Sequence, residues 1–127
     1  MTLVVDASAC AEILLNTQRG LRAAAKLGDH HLIAPDHLTA EVASVMRGWS
    51  LRGHLADAEP LQAFSAFHQL GIEQVAMSDF LPAVWALRHN LTACDALYVV
   101  LARAAGCPLL SLDARLAAAA PDCVVTS

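Results

Sequence analysis

Short apolar runs alternate with stretches of helical periodicity along the whole chain. Leu3 to Asp6 reads as a first strand, and Ser8 is placed to cap a helix running to about Leu15. Thr17 can cap a second helix. Leu32 to Ala34 forms a short strand stopped by Pro35. Beyond it Leu38, Val42, Val45, Met46 and Trp49 recur at helical spacing up to about Arg52. Asp57 opens a further helix, ended by Gly71 where a left-handed residue is wanted, and Ile72 to Ala76 resumes a strand. Ser78 or Asp79 caps a helix that runs to His89, with Asn90 suited to its end. Thr92 begins the longest helix, which continues to Gly106. Pro108 to Ser111 is then a strand, Ala114 to Ala120 a short helix and Cys123 to Val125 a last strand. Strands separated by helices predict an α/β fold around a parallel sheet.

The length, 127 residues, suits a single domain spanning 1–127, with no internal repeat and no linker. Hydrophobic residues make up 57% and charged ones 16%, which excludes disorder and exceeds what a small monomer needs for its own core. The surplus implies apolar surface for another chain. No apolar stretch reaches the length of a membrane span, since Ala96 to Ala102 is closed by Arg103; the expectation is a soluble protein without membrane partners. The N-terminus lacks the pattern of a secretory signal, so a cytoplasmic location is expected. Cys10, Cys94, Cys107 and Cys123 contain no CxxC pair and read as small apolar residues. The six histidines include no HExxH pair and read as surface or structural groups. A net charge of -4 argues against bulk attraction to nucleic acid, so any such activity has to reside in a local site.

Four acids suggest where that site lies. Ligands of open parallel sheets bind beyond the carboxyl ends of the strands. Asp6 follows the run VV and Asp113 the run LLSL, and each precedes a helix, so two strands deliver carboxylates to one edge. Asp95 lies in the first turn of the helix after Thr92, where the helix N-terminus favours negative charge. Glu41 sits on the margin of its helix's apolar stripe rather than opposite it. Carboxylates converging on a partly buried site repel one another unless a cation compensates. Hard oxygen donors select Mg²⁺ or Mn²⁺, which suits in-line attack of water on a phosphodiester. Each acid also has a plainly structural reading: Asp6 and Asp113 as helix starts, Asp95 as half of a capping box with Thr92, Glu41 as a first-turn acid.

Taken together, VVDAS, PDHLTAEVASVM, LTACDALYVVLA and LLSLDARL resemble, in order and spacing, the four acidic segments of a PIN domain of the VapC toxin type, over nearly the whole chain. The resemblance implies a PIN-like three-layer α/β fold, with a central, mainly parallel sheet flanked by helices. It makes Asp6, Glu41, Asp95 and Asp113 the catalytic acids that bind Mg²⁺ or Mn²⁺, with the hydroxyls of Ser8 and Ser111 ordering the metal's surroundings. It further implies an endoribonuclease acting on RNA, a cognate antitoxin protein that holds it inactive, and a homodimer. Three positions depart from the pattern: Asn90 stands where glycine is common, Cys94 where an aromatic residue is often found, and Ser111 where threonine is common. Few basic residues lie near the motifs, Arg88 and Arg115 being the nearest. Two other readings stay open. One is a noncatalytic binding module on the same fold. The other is a phospho-aspartate receiver or phosphatase-like domain, which lacks its lysine at a late strand end, because Lys26 falls in an early helix. Neither GxGxxG nor GxxxxGK[ST] occurs, which disfavours nucleotide binding.

Overall fold

The computed structural model describes residues 1–126. Five strands, β1 (Thr2–Val5), β2 (His31–Pro35), β3 (Glu73–Val75), β4 (Leu109–Leu110) and β5 (Val124–Val125), form one sheet in the order β3-β2-β1-β4-β5. Every pairing is parallel, where the sequence pointed to a mainly parallel sheet. Among the described residues seven α-helices flank it: α1 (Ala7–Leu14), α2 (Gln18–Leu27), α3 (Leu38–Leu51), α4 (Glu59–Phe67), α5 (Leu81–Ala86), α6 (Ala93–Ala105) and α7 (Ala114–Ala119). The first strand is the middle one. β1 has three residues 3% exposed or less, Leu3, Val4 and Val5, because a strand covered on both faces needs an unbroken apolar run and this one has it. α6 packs on β1, β2 and β4 and against α5, while α1 packs on α2, α3 and α4.

Several elements differ from their sequence expectation, each for a local reason. Ser8 lies inside α1 and does not cap it. The helix begins one residue after the strand, so the last extended residue is Asp6 (ψ 173°), whose side chain accepts from the Ala9 amide. Pro35 does not stop β2 but is its last residue, paired with Val75. Asp57 does not open α4, which starts at Glu59 with Pro60 in its first turn; Glu59 Oε1 instead accepts from the Ala56 amide at 2.8 Å. Ser78 to Phe80 form a 3₁₀ turn ahead of α5, and neither Ser78 nor Asp79 supplies a capping side chain. α5 ends at Ala86, short of His89, and Asn90 is not left-handed; among the described residues the non-glycine residue with positive φ is Asn16, at 55°. α6 is one residue shorter than α3.

Other boundaries follow the chemistry expected of them. Thr17 caps α2 and Thr92 caps α6, each through its side-chain oxygen. Gly71 (φ 66°) and Gly106 (φ 63°) supply the left-handed turns that end the 3₁₀ turn His68–Leu70 and α6. Gly20 answers to a different demand. A Cβ there would lie 1.9 Å from the Glu12 carbonyl oxygen, so only glycine lets α2 close on α1.

Candidate active site

The strand order decides where a site can form. The chain builds outward from β1 through β2 to β3, then returns to the other side of β1 with β4 and β5. Between β1 and β4 the connections therefore diverge, and beyond the carboxyl ends of such a pair a crevice opens. Asp6 follows directly on β1, and Ser111, Leu112 and Asp113 follow on β4, so the two acids flank this crevice. Glu41 reaches it from the first turn of α3, beyond β2, and Asp95 from the first turn of α6.

Asp6 is 4% exposed. Its Oδ1 accepts from the Ala9 amide at 2.9 Å and from the Ser8 hydroxyl at 2.7 Å. Burial nevertheless pushes its carboxyl up from the ordinary 3.8 to about 6; the Ala9 amide and the Ser111 and Ser8 hydroxyls offset part of that, and the charge of Asp113 adds to it. Asp113 caps α7 in the same manner, its Oδ1 accepting from the Arg115 amide at 2.9 Å and the Leu116 amide at 3.4 Å. Both acids thus spend Oδ1 on a helix start, and no backbone amide of a described residue bonds either Oδ2. The structural and functional readings of these two residues are compatible rather than rival.

Asp95 follows Thr92, whose Oγ1 accepts from the Asp95 amide at 3.2 Å. Among the described contacts no hydrogen bond runs from the Thr92 amide to the Asp95 carboxylate, so the capping box is only half made, and the Thr92 hydroxyl is the side-chain group beside that carboxylate. Burial raises its pKa, Thr92 opposes this, and the charges of Asp113 and Glu41 raise it further. Glu41 is half-buried and held below the ordinary glutamate range, chiefly by a hydrogen bond from His37, whose Nε2 lies 3.5 Å from Oε1. The four acids thus form an electrostatically connected rim in which Asp6 and Asp95 both resist full ionisation.

Two hydroxyls brace that rim. Ser8 Oγ donates to Asp6 and accepts from the Leu112 amide at 3.0 Å. Ser111 is fully buried, lies 3.5 Å from Ser8 Oγ and accepts from the Asp113 amide at 3.1 Å. Together they sew the loop after β4 to the start of α1. Arg19, bound to Glu12 at 3.3 Å, also donates to the Leu112 carbonyl. Arg115 lies 3.6 Å from Asp113 but is mostly exposed, and Arg88 stacks 4.7 Å over the Trp85 ring.

The sequence reading missed three residues at this rim. His37 Nε2 lies 3.1 Å from the Cys94 carbonyl, its ring centroid is 4.8 Å from that of Tyr98, and the buried Tyr98 hydroxyl lies near Glu41 without a well-formed hydrogen bond among the described residues. Burial, with the charges of Glu41 and Asp6 nearby, pushes the Tyr98 phenol well above its ordinary range. Cys94, read as a small apolar residue, is exposed. Spacing motifs could not reveal this group, because His37 and Cys94 are joined only through the fold.

Fold and rim define an open parallel-sheet α/β domain with an acidic crevice where the strand order reverses. The PIN domain family model matches residues 3–121, and the chain belongs to that family. It is 38% identical over 121 residues to Ribonuclease VapC3 of Mycobacterium tuberculosis, covering 94% of this chain and 88% of that protein. To Ribonuclease VapC12 of the same organism it is 34% identical over 115 residues, 91% of this chain and 89% of the other. VapC ribonuclease Mb0985 of Mycobacterium bovis is 36% identical over 116 residues, with 90% and 87% covered. The crystal structure of PAE2754 from Pyrobaculum aerophilum superposes with a TM-score of 0.70 over 98% of this chain and 83% of that one; at 18% identity the likeness is one of fold.

Proposed function

We propose that the chain is a divalent-cation-dependent endoribonuclease, the toxin of a toxin–antitoxin pair, with Asp6, Glu41, Asp95 and Asp113 as its metal-binding and catalytic acids. The observation that carries this reading is that Asp6 and Asp113, flanking the switch point, each pin Oδ1 with backbone amides, while no backbone amide of a described residue bonds either Oδ2. Relatives named as ribonucleases, aligned over about nine-tenths of the chain, support the reaction class.

The donor set fits Mg²⁺ or Mn²⁺. All four residues offer hard oxygen, and the charge that Asp6 and Asp95 resist carrying is what a cation would neutralise. The acids do not close into a tight cage; among the described residues the group of three or more donor atoms within 4.8 Å of one another is a different one, His37, Glu41 and Cys94. A wide carboxylate rim suits a small cation that keeps several of its waters and uses only one or two carboxylates directly. Such an ion supplies charge stabilisation to the phosphodiester and lowers the pKa of water. The chain's own residues set the geometry: Ser8 and Ser111 hold Asp6 and Asp113 in register across the crevice, and Thr92 fixes the turn that presents Asp95.

Partners follow from the surface. Thr39, Val42, Phe64, Phe67 and Ile72 line an open, largely apolar groove, and the antitoxin is the partner we assign to it. Leu81 and Trp85, both more than half exposed on α5, supply apolar area for a homodimer. No helix among the described residues is long and apolar enough to cross a membrane, and the proposed site of action is the cytoplasm. The test is cleavage of a mixed RNA pool by the purified chain with Mn²⁺ or Mg²⁺, repeated with chelator and with Asp6→Asn. Cleavage lost in both controls supports the reading; cleavage that survives either one overturns it.

A further inference from the structure

Beside the carboxylate rim lies a cluster whose chemistry the acids do not share. His37, Glu41 and Cys94 each offer a ligand atom, and these lie within 4.8 Å of one another. His37 and Glu41 stand one helical turn apart at the start of α3, and the first turn of α6 brings Cys94 to them. Nitrogen, oxygen and sulfur together are not a set that magnesium selects; borderline-soft cations such as Zn²⁺ and Co²⁺ take it, commonly with three protein donors and one open position. Bond lengths of about 2.0 to 2.3 Å put tetrahedral donors about 3.5 Å apart, so the group has to close by about 1 Å. The exposed thiol of Cys94 has the freedom to make that adjustment.

A second observation points to the same place. Tyr98 is 1% exposed, its ring packs on that of His37, and its hydroxyl lies near Glu41 and Ala7 without a well-formed hydrogen bond to any described residue. A buried hydroxyl without a partner is costly. Once Glu41 is oriented by a cation, that hydroxyl can donate to the carboxylate, the outer contact that metal ligands ordinarily have.

We propose that His37, Glu41 and Cys94 form a binding site for a zinc-like divalent cation, one that shares Glu41 with the carboxylate rim and, when filled, shuts the rim off. The binding stands on the cluster alone; the inhibition rests on the nuclease reading given above. A Glu41 fixed by the softer ion is withdrawn from the hydrated one, so the two compete. His37 Nδ1 is buried without a partner, so a ring ligating through Nε2 has nowhere to donate its remaining proton. Lacking that outer contact, the site is weaker than a fully built one by about 10- to 100-fold. It responds to excess metal rather than holding the fold together.

Co²⁺ titration of the full chain, read by absorbance, tests the binding without any RNA. The expected result is a thiolate-to-cobalt band that appears in the wild type and in Asp6→Asn, is lost in Cys94→Ser and is displaced by Zn²⁺. No band in the wild type, or a band that persists in Cys94→Ser from Cys107 or Cys123, overturns the site. Inhibition is read separately, as the Mn²⁺-supported cleavage rate of each protein relative to its own zinc-free rate. Stoichiometric Zn²⁺ lowers that ratio about tenfold in the wild type and less than about twofold in Cys94→Ser; equal sensitivity overturns the coupling. A cobalt band in a protein that cuts no RNA leaves the cation site standing and sinks the nuclease reading, whereas cleavage without a band does the reverse.

Discussion

Asp6 carries a cost that its pH dependence exposes. Its folded pKa of about 6 lies above the ordinary 3.8, so between these values the native state binds more protons than the unfolded one. In chelator, stability therefore falls as pH rises from about 4 to about 6 and then levels off, with a contribution from this residue of about 3 kcal/mol. Asp6→Asn removes the penalty. Its urea midpoint is expected to exceed that of the metal-free wild type at pH 7 and to match it near pH 4, while cleavage at pH 7 falls at least about 100-fold. A wild-type rate in Asp6→Asn, or an advantage for it at pH 4 alone, contradicts this account. Ser8 presents the opposite balance. Ser8→Ala strands the Leu112 amide and frees Asp6 on one side, so about 1 kcal/mol of stability is lost, and cleavage falls about tenfold with little change in substrate affinity. Steady-state rates at several RNA concentrations separate the two effects. Asp6 and Asp113 stood out in the sequence by their places after apolar runs, Asp95 and Glu41 by their places in a helix's first turn, and the two serines only through the family resemblance. The division of labour between Oδ1 and Oδ2 was not legible there, because it depends on which backbone amide each oxygen meets.

At the scale of elements, what the sequence revealed depended on whether a boundary was set locally. Thr17, Thr92, Gly71 and Gly106 act within one turn of themselves and fell where their chemistry put them. Ser8, Asp57, Ser78 and Asn90 are equally good turn or cap residues, but other features of the chain set those boundaries. The one-residue step from β1 into α1 gave the cap to Asp6, and Pro60 and Pro82 drew their helices to start beside themselves. Thr92→Ala tests the local kind. It removes the cap of α6 and is expected to cost about 1 kcal/mol in chemical denaturation, lowering cleavage as well because the same turn presents Asp95. Gly20→Ala tests a tertiary contact instead. A methyl group there meets the backbone of α1, and the expected loss is about 3 kcal/mol with no direct change at the rim. Equal stability of Gly20→Ala and the wild type in urea would mean that α1 and α2 are free to separate.

For the molecule as a whole, a parallel sheet was legible because strands and helices alternate, yet the strand order was not, since no local pattern says on which side of β1 the chain returns. That order makes the proposed cation binding depend on the entire fold, as the acids come from segments that meet only when β1, β2 and β4 are aligned. Mn²⁺ at about 100 times its dissociation constant is expected to add about 2.7 kcal/mol to unfolding in the wild type, and far less in Asp6→Asn. Differential scanning calorimetry across a metal series checks this, and equal gains in both proteins would move the ion away from Asp6. The central place of β1 has a further consequence while the protein is being made. Asp6 leaves the ribosome early, but the strand on the far side of β1, β4, comes 103 positions later in the chain (109 − 6) and the acid beyond it 107 positions later (113 − 6). Until then β1 has one open edge and the crevice has one wall. A chain assembled in this order completes its acidic crevice only when synthesis is nearly finished, so whatever that crevice does begins after translation rather than during it.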